Sequence, residues 1–198
     1  MKKSTLIKQH DIKDCGAACL ASVSAHYGLK MPIAKIRQLS HTDTRGTNVL
    51  GMVQGLEKMG FNAKGVKGGA DVLPEIPLPA IAHIITKEQY HHYVVIYEVK
   101  KTKNSKSNES APSPLERVGV RIMDPAFGKI EEYTIEEFSK IWTGVLILLE
   151  PNEYFEQKDE KTSVYRRFWN LVQPHKSILI QALIGAVIYT ILGLSTSI

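Results

Sequence analysis

Cys15 and Cys19 are the only cysteines in the 198-residue chain, and both lie in the stretch KQHDIKDCGAACLASVSAHYG. A thiolate attacks a carbonyl carbon, whereas a thiol does not. A free cysteine titrates at about 8.5, and the unpaired N–H groups of a helix N-terminus favour its anion. Cys15 sits where a helix is expected to begin, behind Asp14 and ahead of Gly-Ala-Ala. A cysteine hydrolase needs three further groups: a base, a partner that orients it, and a donor for the oxyanion. Gln9 lies six residues upstream, with a neutral amide able to donate beside the Cys15 backbone N–H. His92 begins the most apolar strand-like run and carries an imidazole that could serve as base. Asp124 ends another such run and precedes Pro125, which biases its backbone toward the extended region. A carboxylate there can fix the tautomer and orientation of an imidazole.

Other uses of these residue types fit less well. Cys19 is one helical turn beyond Cys15 and is expected in the core. A bridge between them has the wrong geometry, and two cysteines are too few for a disulfide framework. Nor is their spacing C-x-x-C, and structural zinc wants four ligands. The expectation is free thiols, a reducing compartment, and no metal or other cofactor in this chain. His91 competes with His92, but strand alternation sends the two to opposite faces, so at most one can serve. His10, His26, His41, His83 and His175 carry no partner signal and are expected at the surface or in packing. Asp14 is expected to cap the helix that follows.

These groups need elements to hold them. GAACLASVSAHYG reads as a helix from about Gly16 to Tyr27, stopped by Gly28. MPIAKIRQLS opens with Pro32 near a first helical position. TNVLGMVQGLEKMGF puts Val49, Met52, Val53, Leu56 and Met59 on one face, with Thr47 or Asn48 as cap. Then the period changes. PAIAHII, HHYVVIYEV, VGVRIMD, KIEEYT and GVLILLE read as strands, and IEEFSKIW as a short helix before the last. Several of these runs are apolar at every position, so the sheet is expected to be covered on both faces. Helices followed by an antiparallel sheet make an α+β fold. Lys100 to Arg117, rich in Ser and Pro, reads as a long mobile loop between two strands.

Beyond Pro151 the composition shifts. NEYFEQKDEKTS reads as a charged linker. SVYRRFWNLVQ sets Val164, Phe168, Leu171 and Val172 at helical spacing with Arg166 and Arg167 off that stripe, as in a helix lying on a membrane surface. Ser177 to Ile198 then holds 22 residues without a charge, enough to span a bilayer. Lys161, Arg166, Arg167 and Lys176 flank it on the N-terminal side with no acid among them, which keeps residues 1–176 cytoplasmic. The N-terminus is basic but lacks the apolar region of a secretory signal. The net charge of +5 is partly this flank and reads as a membrane edge, not a nucleic-acid face.

At this point a resemblance becomes specific. The chain resembles the N-terminal papain-like cysteine peptidase domain of bacteriocin-processing ABC transporters, the double-glycine leader peptidases. QHDIKDCGAACLA resembles the family's Gln-to-Cys segment, and TRGTNVLGMVQGLEKMGF its Gly-Thr helix motif. IPLPAIAH and HHYVVIY resemble its His strand, and DPAFGKIEEYTIEEFSKIWTGVLILLEP its Asp-Pro segment and closing strand. The similarity runs from about Gln9 to Pro151, and the apolar span behind it matches the family's first transmembrane helix. The family's loop between the His and Asp strands is short; here Lys100 to Arg117 lengthens it.

The resemblance implies Cys15 as nucleophile, His92 as base, Asp124 as its orienting partner and Gln9 as oxyanion donor. It implies a helical lobe and an antiparallel sheet lobe over residues 1–150, a linker and interfacial helix over 151–176, and a transmembrane helix over 177–198. It implies cleavage of a precursor peptide after a Gly-Gly leader, coupled to export, at the cytoplasmic face of the membrane. It further implies a homodimer formed through transporter regions outside this chain. No GxxxxGK[ST] occurs in the sequence, so ATP with magnesium belongs to a nucleotide-binding domain elsewhere. Two other readings stay open: a docking module that holds substrate without cutting it, and a thiol hydrolase or acyltransferase indifferent to Gly-Gly.

Overall fold

The computed structural model describes residues 4–101, 118–160, 168–169 and 171–195. Residues 102–117, most of the Ser/Pro-rich stretch, lie outside these. So do Val164, Arg166 and Arg167 of the expected interfacial helix, and the last three residues. The chain divides into two compact units, Met1–Glu160 and Lys161–Ile198.

Helix α1, Cys15–Tyr27, is the centre of the first unit. Its residues from Cys15 to Ser24 are all buried, because Gly, Ala, Ser and Cys side chains are small on every side. A helix without a polar face belongs inside a protein. Gly28 ends it at φ 105°, with its N–H on Ala25 O, while Leu29 N–H bonds Ser24 O at 2.9 Å. That left-handed step costs a glycine little. Helix α2, Ile33–Leu39, and helix α3, Val49–Lys58, pack beside it. Asn48, not Thr47, caps α3: its Oδ1 accepts the Gly51 N–H at 2.7 Å. Met52, Leu56 and Met59 are buried as the spacing requires, with Val49 and Val53 partly covered.

The sheet has six antiparallel strands in the order β1-β6-β2-β3-β4-β5. They are β1 Phe61–Lys67, β2 Ala80–Ile85, β3 His91–Lys101, β4 Val118–Asp124, β5 Lys129–Thr134 and β6 Trp142–Pro151. Helix α4, Ile135–Ile141, joins β5 to β6 and starts with a Thr134–Glu137 capping box. Strand β1 was not expected from the sequence. Asn62, Lys64 and Gly65 dilute its pattern, and as an edge strand bonded only to β6 it buries just Phe61. Edge strands need little apolar character to pair. β5, the other edge strand, has no fully buried residue, whereas the inner strands β6, β2, β3 and β4 bury residues on both faces. Leu20, Ile36, Met52, Phe61 and Val95 belong to a core between α1–α3 and one face. Ile84, Ile96, Ile122, Phe138 and Trp142 form a second core under α4 on the other.

Within the first unit, residues 152–160 fold back onto the helices and β1. Lys30 N–H donates to Lys158 O at 2.8 Å, Glu160 N–H returns to Lys30 O at 2.7 Å, and the Phe155 ring lies 4.7 Å from that of Phe61. In the second unit a short turn, Gln173–His175, leads into helix α5, Lys176–Ser195. Gln173–Ile191 is long and apolar enough to cross a membrane.

Candidate active site

Cys15 is the first residue of α1, delivered by a tight 3-10 turn over Ile12–Asp14. Its side chain therefore sits at the positive end of the helix dipole. The neighbouring Gly16 is required by close approach: a Cβ there would lie 2.9 Å from Thr47 Cβ. The loop Asp43–Asn48 thus comes down beside Cys15 and forms one wall of a cleft. Asp14 departs from expectation. Although it stands at the cap position, its side chain makes no capping bond. It is buried, and Oδ1 faces the Arg37 guanidinium at 3.4 Å. Asp11 instead caps the preceding turn, accepting the Lys13 N–H. The buried carboxylate is thus paired with a charge from α2 and not with a helix-terminal N–H.

The sheet supplies the imidazole and the carboxylate. Antiparallel pairing sets Met123 of β4 opposite Val95 of β3. Asp124 follows Met123 on β4, and His92 lies three residues before Val95 on β3, so both sit at the same end of the β3–β4 pair. The two side chains meet: His92 Nε2 is 2.8 Å from Asp124 Oδ1. The same oxygen accepts the Ala126 N–H at 2.7 Å, so the turn after Pro125 holds the carboxylate still. Both side chains are nearly closed to solvent, at 10% and 13% exposure. Burial pushes the imidazole's pKa down, but hydrogen bonding to Asp124 and Cys15, with their charges, outweighs it and holds His92 up at about 9. With Nε2 committed to Asp124, Nδ1 is the nitrogen left for the sulfur.

Cys15, His92, Asp124 and Gln9 all line one cleft of about 870 Å³. Gln9 N–H donates to Pro125 O at 2.9 Å, tying the N-terminal segment to the loop that follows Asp124. Cys19 is separate. It is fully buried, its Sγ donates to Tyr93 O at 3.3 Å, and burial, with Cys15 and Asp124 near, pushes its thiol well up. It is a core thiol, and both cysteines are free.

His91 turns away from the Asp124 pair. Its ring stacks on His83 at 5.1 Å, with Nδ1 3.2 Å from His83 Nε2, and His83 Nδ1 meets Thr143 Oγ1 at 2.9 Å. Burial, then the charges of His91 and His92, lower the His83 pKa. Both rings line the cleft, so His83 is not the isolated packing residue its sequence context suggested. Only the register, which sets His83 opposite Tyr93 and hence diagonal to His91, brings them together. Exposed Ile12, Tyr90 and Phe127 form an apolar rim around the opening.

Comparisons with known proteins agree on the class. The sequence profile of the Peptidase C39 family matches residues 3–105. The lactococcin-G-processing and transport ATP-binding protein LagD of Lactococcus lactis subsp. lactis is 41% identical over 91% of this chain and 23% of its own length. The chain spans about a quarter of the length of the curated relatives it matches. Among solved structures, the peptidase domain of Streptococcus ComA, a bi-functional ABC transporter, is 34% identical, with a TM-score of 0.61 over 76% of this chain and all of that one. A double glycine motif protease from an AMS/PCAT transporter, solved with its leader peptide, is 27% identical, with a TM-score of 0.60 over 76% of this chain and 94% of that one.

Proposed function

Since this chain belongs to the peptidase C39 family, we propose that it is a cysteine endopeptidase that removes a leader from a precursor peptide by cutting after a Gly-Gly pair. The observation that carries the reading is the 2.8 Å His92–Asp124 bond, in a cleft that also holds the helix-terminal Cys15.

In this reading Cys15 Sγ attacks the carbonyl carbon of the second glycine. The carbonyl π pair moves to oxygen, where the Cys15 backbone N–H and the Gln9 amide stabilise the charge. His92, an imidazolium by virtue of its raised pKa, protonates the departing amine as the C–N bond breaks. Water, losing its proton to His92, then attacks the acyl-enzyme, the C–S bond breaks and the leader's carboxylate leaves. Asp124 keeps the ring oriented throughout.

The relatives are ATP-binding transport proteins, which supports coupling to export. We assign residues 1–150 to the peptidase, 151–176 to the connection and 177–198 to a first membrane span. ATP with magnesium, and the contacts of a homodimer, would lie outside this chain, and residues 1–176 would face the cytoplasm. Mass spectrometry of a Gly-Gly leader peptide incubated with the chain tests the reading. Products ending at the second glycine are expected from wild type and none from Cys15→Ala. Binding without cleavage by wild type would favour the docking module. Undiminished turnover after Gly-Gly is changed to Ala-Ala would favour a thiol hydrolase of other specificity.

A further inference from the structure

Of the four candidate site residues, Gln9 alone is carried by no helix or strand. Its carbonyl Oε1 is buried without a hydrogen-bond partner, so that oxygen does nothing to fix the amide. The main chain must place it. Residues 4–9 form a strap over the first unit, fastened at alternate residues. At Thr5, the Tyr97 hydroxyl of β3 donates to the carbonyl oxygen at 2.6 Å and also lies 3.4 Å from Ser22 O. At Ile7, the N–H donates to Ser22 Oγ of α1 at 3.2 Å. At Gln9, the N–H donates to Pro125 O. Between the last two, Lys8 crosses the turn at Gly128 so closely that a Cβ on that glycine would come within 3.2 Å of Lys8 Cβ.

The fastenings join the three elements that carry the other groups: α1 with Cys15, β3 with His92, and the loop behind Asp124. Neither Tyr97 nor Ser22 lines the cleft. We infer that Tyr97 and Ser22 are positioning residues, which hold the Gln9 amide at the oxyanion position by anchoring the strap at Thr5 and Ile7. This rests on Gln9 being the oxyanion donor. Such a donor acts over a short distance, and a displacement of about 1 Å is worth on the order of 100-fold in rate. Burial raises the Tyr97 pKa, so its hydroxyl keeps its proton and remains a donor.

The test is a double-variant cycle on the 198-residue chain in detergent, reading kcat and KM on a Gly-Gly leader peptide. Tyr97→Phe is expected to lower kcat roughly tenfold with KM within about twofold, and to cost nothing further in a Gln9→Ala background. Ser22→Ala, which removes one hydroxyl, should behave alike; it carries the test if Tyr97→Phe fails to keep a wild-type thermal transition. Equal losses in both backgrounds, or wild-type kcat in the single variants, would overturn the strap proposal while leaving Gln9 its role. Wild-type kcat in Gln9→Ala would overturn both.

Discussion

At His92, burial disfavours the imidazolium while Asp124 and Cys15 favour it, and the second effect prevails, setting the ring at about 9. Two consequences can be measured. A group whose folded pKa exceeds its unfolded value stabilises the fold below the unfolded value and loses that contribution as pH rises through the folded one. From 6.5 to about 9 the loss should be on the order of 3 kcal/mol. Denaturant titrations between pH 6 and 10 should show this decline, and Asp124→Asn should flatten it. In kcat/KM, the alkaline limb reports loss of the imidazolium proton. It is expected near 9 in wild type and displaced toward 6.5 in Asp124→Asn, with kcat also reduced by roughly 100-fold or more. An alkaline limb unmoved by the substitution would take Asp124 out of the site. The types and order of these residues were visible in the chain. The burial that makes Asp124 and Cys15 act so strongly on the ring was not.

Elements differ in how plainly they announce themselves. Helix α3 does so nearly completely: its spacing gives the buried face and narrows the cap to Thr47 or Asn48, of which the structure uses Asn48. Asn48→Ala should therefore cost about 1 kcal/mol in thermal or chemical unfolding. Strand β1 says little, because an edge strand is held by its partner's backbone and not by its own side chains. Residues 152–160 mislead in another way. They are polar and read as a linker, yet Phe155 packs among Tyr27 and Phe61 and the backbone bonds to Lys30. The exposed pair Lys30–Asp159 adds little, since water screens it. Phe155 is what matters. A chain cut after Glu160 should be more stable than one cut after Glu150 by about 2 kcal/mol, read as a higher unfolding temperature. Equal temperatures would mean the return of residues 152–160 contributes nothing.

For the molecule as a whole, helix α5 stands apart from the peptidase unit in composition. Ile184, Val187, Ile188 and Ile191 on it are apolar and exposed. Val187→Arg places a charge near the middle of that stretch, where insertion is opposed by roughly 3 kcal/mol. Carbonate extraction of membranes should release the variant and retain the wild type; retention of both would mean that α5 is not the anchor. The sequence by itself determined the helices-then-sheet order, the covered sheet, the apolar final segment, and Gln9, Cys15, Asp124 and one of His91 and His92 as residues with chemistry to offer. Those follow from period, composition and residue type, which are local. Tertiary structure alone decided that Asp14 turns to Arg37, that His83 meets His91, and that Tyr97 and Ser22 hold the strap bearing Gln9. Each joins residues distant in the chain through strand register or packing, and a one-residue slip in register would undo it while leaving the local pattern unchanged.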